Sequence, residues 1–245
     1  MKYLLCLLTA VSLLLVSSVC PAQVQPPSSS GISFYVLRVI YSEADKQGVT
    51  LTAMNTSAAP YLMQSWVRPV DSDTGDVDLR WHGSPVMPFI VTPPLARMEA
   101  SDELVVRIRR NGVPLPRDRE SVFFVSMKAL PAQQTDGKQM VMTVVSNLKL
   151  FYRPAGLSKR AVADMAPKLT FIREGNRLTA KNPTPYWLTF SRLQVGSVTL
   201  GKPALRLMVP PFGSQSYSIP VAASGQVSWQ LIDEDGWNTP VARQN

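Results

Sequence analysis

Apolar residues in this chain rarely recur with the 3.6-residue period of a helix. They alternate over short stretches, and each stretch ends in a cluster of Pro, Gly, Asn, Asp or Ser. Ile32–Val36, Gly48–Met54, Tyr61–Val67, Phe89–Val91, Glu103–Ile108 and Val122–Met127 read as strands, separated by turn signals such as Asn55–Ser57, Asp71–Asp78 and Asn111–Pro114. Short strands at this spacing predict an antiparallel β-sandwich. After Arg153-Pro154-Ala155-Gly156 a second set begins: Leu169–Ile172, Arg177–Ala180, Trp187–Phe190, Gln194–Val195, Arg206–Val209, Gln215–Ile219 and Gln226–Ile232. Length supports the division, since 245 residues suffice for two modest domains with a core each. The prediction is all-β, with residues 32–154 as one sandwich and 155–245 as the other.

One segment departs from simple alternation. Across Gln139–Tyr152, Met140, Met142, Val144, Leu148 and Leu150 share one face, while Val141, Val145 and Phe151 share the other. Neither face is wholly polar. Such a strand is either buried on both sides or lends one row to something else.

The first 22 residues are expected to leave. Lys2 followed by an apolar run from Leu4 to Val19 reads as a secretory signal with cleavage after Ala22, and residues 23–31 form a Pro- and Ser-rich leader. A lipoprotein anchor at Cys20 is disfavoured, because Val19 stands where a small residue is expected. Cys6 and Cys20 depart together, so the mature chain has no disulfide and no thiolate metal ligand in an oxidising compartment. No second long apolar run predicts a stable membrane anchor.

Chemistry is sparse. His82 is the one imidazole and sits in a polar turn, which argues against nucleophilic triads and metal sites. Asp233-Glu234-Asp235-Gly236 reads either as a carboxylate pair for acid–base work or as a turn with its acids solvated or paired to Arg. Asp71, Asp73, Asp76 and Asp78 lack the rest of a calcium loop and read as a hairpin turn. The net charge of +8 is spread along the chain without a recognised nucleic-acid module, so no nucleic-acid partner, metal or cofactor is expected. Arg38 and Lys149 stand apart because apolar neighbours surround both; snorkelling, an internal ion pair or a bound anion would each account for them.

Five stretches, in order, resemble the PapD-like family of periplasmic pilus chaperones: Pro60–Val67, Val91–Arg97, Leu115–Phe124, Leu148–Pro154 and Asn182–Tyr186. The resemblance implies two immunoglobulin-like β-sandwich domains arranged as a boomerang. It also implies that Arg38 and Lys149, in the interdomain cleft, anchor the carboxylate at the C-terminus of a pilus subunit. Met140, Met142 and Val144 fall at the hydrophobic row of the donor strand, which completes a subunit lacking its own final strand. Glu120 and Arg153 match an interdomain ion-pair network; Glu234, flanked by Asp233 and Asp235, stands where the family has Asp. The short Pro131–Lys138 loop resembles that of chaperones serving rod-like pili. The implied function is non-enzymatic: periplasmic binding of pilus subunits and delivery to an outer-membrane usher, with self-association of the free chain as protection for its open edge. Two other readings use the same residues. A pilus subunit or adhesin would be a single incomplete sandwich with a Cys pair, and a carboxylate-dependent hydrolase would need Asp233 to Asp235 to converge with other acids in a pocket.

Overall fold

The computed structural model describes residues 31–131 and 143–245. The signal peptide, the leader up to Ser30, and Met140 and Met142 lie outside the described residues.

The first sandwich is built on alternation. Strands β1 (Ile32–Phe34), β2 (Arg38–Ser42), β3 (Val49–Asn55), β4 (Tyr61–Arg68), β5 (Phe89–Thr92), β6 (Leu95–Met98), β7 (Glu103–Arg110), β8 (Ser121–Pro131) and β9 (Val144–Arg153) form two sheets, ordered β1-β3-β7-β5 and β2-β9-β8-β4-β6. Leu51 and Ala53, Val106 and Ile108, and Met63 and Val67 each fall on one parity of their strand and turn inward. Burying one such aliphatic side chain contributes about 1.5–3 kcal/mol, which fixes the register, since a one-residue slip would turn the whole row outward.

The first strand is divided between the two sheets. β1 pairs antiparallel with β3; the chain then crosses through Tyr35–Leu37, and β2 pairs parallel with β9 on the other sheet. β2 is a strand that alternation does not predict, because Phe34–Tyr41 is apolar at nearly every position. Its pairing with β9 begins only at Arg38 opposite Lys149. β9 therefore has β8 along its length on one side, and β2 over its final residues alone on the other.

The second sandwich contains β10 (Thr170–Glu174), β11 (Arg177–Lys181), β12 (Phe190–Val195), β13 (Val198–Thr199), β14 (Ser214–Ser218), β15 (Val227–Leu231) and β16 (Ala242–Gln244). Its sheets are ordered β10-β11-β14 and β13-β12-β15-β16. Its core gathers Phe171, Phe190, Tyr217 and Trp229, with Phe171 and Trp229 ring centroids 4.7 Å apart. The Trp229 indole N–H donates to the Ala166 carbonyl at 3.0 Å, so the ring is buried without an orphaned donor. Two short helices, α1 (Val162–Met165) and α2 (Lys202–Leu205), are too brief to leave a periodic signal. Two expectations are corrected here. Of Trp187–Phe190 only Phe190 lies in a strand, and it runs on through Gln194–Val195 as β12, where a register shift between Phe190 and Arg192 breaks the alternation; Arg206–Val209 makes only an isolated bridge, Val209 to Leu188.

Candidate functional site

Two cations meet at the root of β9. Arg38 and Lys149 are direct partners in the parallel β2–β9 ladder. The Arg38 guanidinium is nearly buried, lies 5.3 Å from the Phe151 ring centroid, and donates from Nη1 to the Ile232 carbonyl of the second sandwich at 2.9 Å. Its Nε has no hydrogen-bond partner among the described residues. Burial lowers the Arg38 pKa to about 10 against the pull of Glu120, Glu234 and Asp233. Lys149 is half-buried, and among the described residues its side chain has neither a hydrogen bond nor an ion pair. Burial first, and then the Arg38 charge, bring its pKa down to about 8; Asp76 works in the other direction.

Such a pair is costly without an anion. Two like charges held side by side away from water raise each other's energy, whereas one carboxylate with two oxygens can accept from both in short charge-assisted hydrogen bonds. This arrangement is suited to receiving a carboxylate. His82 is exposed on its loop.

Arg153, four residues further along the strand, has the opposite surroundings. Its Nε donates to Glu120 Oε1 at 2.6 Å, its Nη2 lies 2.9 Å from Glu234 Oε1, and its Nη1 donates to the Ser158 and Lys159 carbonyls at 2.8 and 2.6 Å. The guanidinium also lies 4.8 Å from the Tyr186 ring centroid. Glu120 Oε2 accepts from the Trp187 backbone N–H at 2.7 Å, joining the first sandwich to the second. Burial pushes the Glu120 carboxyl up, opposed by Arg153 and the Trp187 N–H. For Glu234 burial also works against the charge, but the Ala161 N–H and Arg153 outweigh it and hold the carboxyl below its ordinary value. Asp235 pairs with exposed Arg160 at 2.5 Å, and the Asp233 side chain caps the turn through the Asp235 and Trp237 N–H groups. The acidic run is a turn whose acids have separate structural partners.

The outer part of β9 exposes what its root buries. Leu148 and Leu150 point into the first core, yet Val144, of the same parity, is 54% exposed. From Val144 to Leu148 the strand pairs with β8, and β2 does not reach it, so among the described residues its other edge has no strand partner.

Comparisons with known proteins identify the family. Residues 31–158 match the family model described as the pili and flagellar-assembly chaperone PapD N-terminal domain, and residues 164–242 match the pili assembly chaperone PapD C-terminal domain. The chain belongs to the PapD family of pilus-assembly chaperones. Among relatives of this family, the chaperone protein FocC of Escherichia coli is 37% identical over 218 residues, covering 86% of this chain and 88% of its own. The crystal structure of the E. coli chaperone DraB superposes with a TM-score of 0.73 at 32% identity, covering 88% of this chain and 98% of that one. A chain of the Salmonella enterica SafA pilin in complex with the SafB chaperone superposes with a TM-score of 0.75 at 28% identity, over 88% of this chain and 96% of that one. No helix among the described residues is long and apolar enough to cross a membrane.

The structure thus brings Arg38 to Lys149, and Glu120 and Glu234 to Arg153, while Val144 lies on the open part of the same strand. Three contributors leave no mark that residue types alone reveal. The Ile232 carbonyl and the Trp187 backbone N–H act through main-chain atoms, which any residue supplies. Asp76 acts across a long sequence separation, through an ion pair to Arg206.

Proposed function

We propose that this pilus-assembly chaperone works in the periplasm by completing pilus subunits through donor-strand complementation, with the terminal carboxylate of the bound subunit held by Arg38 and Lys149. The observation that carries the reading is the juxtaposition on β9: an open strand edge with an exposed apolar row, ending at two unneutralised cations. A subunit strand laid along that edge would satisfy the free backbone groups of β9, and the carboxylate would set its register. Val144 belongs to the row that fills the subunit groove; Met140 and Met142 are assigned to the same row by parity and resemblance. The chaperone then delivers the subunit to an outer-membrane usher, and the cycle runs on binding energy without turnover of a substrate. In the free chain the same edge is open to a second copy.

Co-expression with pilus subunits encoded beside it tests the proposal. Soluble one-to-one complexes are expected with the native chain, and their loss with Arg38→Ala and Lys149→Ala variants that remain folded. Complexes that persist in both folded variants would overturn the anchor.

A further inference from the structure

The Asp71–Asp78 loop, which leaves β4 and passes to the domain-two side, is built as a rigid unit. The Asp73 and Thr74 N–H groups donate to Asp71 Oδ1 at 2.8 and 3.3 Å, the Gly75 N–H donates to the Asp71 carbonyl at 2.8 Å, and Val70 bridges Val77. Its tip is pressed against the second sandwich. A Cβ on Gly75 would collide with the Arg206 carbonyl oxygen and stand 3.0 Å from Leu207 Cα, and the residue sits at φ +70°, so both contact and conformation require glycine. Next to it, Asp76 Oδ2 lies 2.8 Å from Arg206 Nη1. The receiving segment is itself fixed, since the Leu207 carbonyl accepts from the buried Tyr217 hydroxyl at 2.8 Å. Behind this contact lies a cavity of about 520 Å³ between the two sandwiches, lined by Pro69, Val70, Trp187, Leu207, Met208 and Pro210. Asp76 is also an acid whose field reaches Lys149.

The Arg153 network, the Arg38–Ile232 hydrogen bond at 2.9 Å and the Asp45–Lys159 pair at 2.7 Å already join the two sandwiches, all through residues of β2, β9 and the segments that follow them. The Asp71–Asp78 loop meets a different part of the second sandwich, Arg206 and Leu207, and a contact at a separate place restricts motion that the others leave. We propose that the Asp71–Asp78 loop is a further interdomain strap, with Gly75, Asp76 and Arg206 as positioning residues that set where Lys149 stands relative to the second sandwich. The inference rests on Lys149 as the carboxylate anchor, because the gap between Lys149 and the Ile232 side of the cleft is what the strap would hold constant.

The test uses the mature chain, whose lack of cysteine allows spin labels at Ile90→Cys and Val221→Cys, exposed sites on the two sandwiches. Gly75→Ala should broaden the interdomain distance distribution and weaken subunit binding about tenfold. Gly83→Ala, with similar positive φ but no atom within 4 Å of the added carbon, should change neither. The reversals Asp76→Arg and Arg206→Asp should each weaken binding about threefold, and the double reversal should restore both readouts. An unchanged distance distribution in Gly75→Ala, a double reversal that fails to restore it, or a broadened distribution with unchanged affinity would each overturn the proposal. Lys149→Ala separates the two claims: it should weaken binding by about thirtyfold or more without altering the distance distribution, and if affinity is unchanged, the anchor fails while the distance measurements still decide whether the strap exists.

Discussion

Strand β9 carries Lys149 and Arg153 on the same face, and the protein surrounds them in opposite ways. Arg153 is enclosed by two carboxylates, two carbonyls and an aromatic ring, each within contact distance. Lys149 has another cation beside it and no anion in contact among the described residues. On the proposed reading, the difference separates a structural charge from a binding charge. A saturated buried cation holds two sandwiches together and offers nothing to a ligand; an unsaturated one has its stabilisation deferred until an anion arrives. The comparison also explains why the sites can lie so near each other without competing, since Arg153 is buried and its charge is already met by Glu120 and Glu234.

The comparison breaks most severely at Arg153. Arg153→Ala would leave Glu120 and Glu234 facing each other away from water, and should lower stability by about 3–5 kcal/mol in denaturant unfolding. An effect below about 1 kcal/mol would show the network to be dispensable. Lys149→Ala should do the reverse: it removes a cation that burial and Arg38 make unfavourable, so unfolding should be unchanged or shifted to higher denaturant, while binding of the subunit weakens by about 2–4 kcal/mol in calorimetry, as expected for removing one partner of a desolvated charge pair.

pH sharpens the same contrast. The Lys149 pKa is lowered to about 8 in the free protein, below its value in an unfolded chain, so folding favours the neutral amine. Its contribution to stability is therefore unfavourable while both states are charged, and becomes less so as pH rises from about 8 toward the unfolded value. Subunit binding has the opposite sign. A bound carboxylate raises the Lys149 pKa, the complex takes up a proton above pH 8, and affinity falls as pH rises, by at most about tenfold per unit. Affinity that is flat between about pH 7 and 9.5 in folded protein would exclude a carboxylate at Lys149. The smallest effect expected is at the edge of the network: Asp235→Asn removes an exposed pair with Arg160 and should change stability by less than about 1 kcal/mol, measured by the same unfolding curves.

Much of this is legible in the residues. Strands such as Val49–Asn55 and Glu103–Arg110 have one core face, and burial of that face is what alternation encodes. β2 escapes because its residues are buried nearly throughout, which erases alternation; β12 reads as two pieces because a bulge interrupts its parity. Arg38 and Lys149 draw notice as charges among apolar neighbours, but only the resemblance suggests that they act together. Their pairing comes from a parallel ladder between segments more than a hundred residues apart, which local pattern does not express. The Asp71–Asp78 turn is recognisable from its Asp and Gly residues, whereas its docking on Arg206 depends on the placement of an entire second domain.

The most direct measurement is the titration of the Lys149 side chain by NMR, in the free chaperone and in complex with a pilus subunit whose last residue carries a free carboxylate. The account predicts a midpoint near pH 8 in the free protein and a clear upward move in the complex. A midpoint that does not move when the subunit is bound would contradict it, because the cation would then have met no anion.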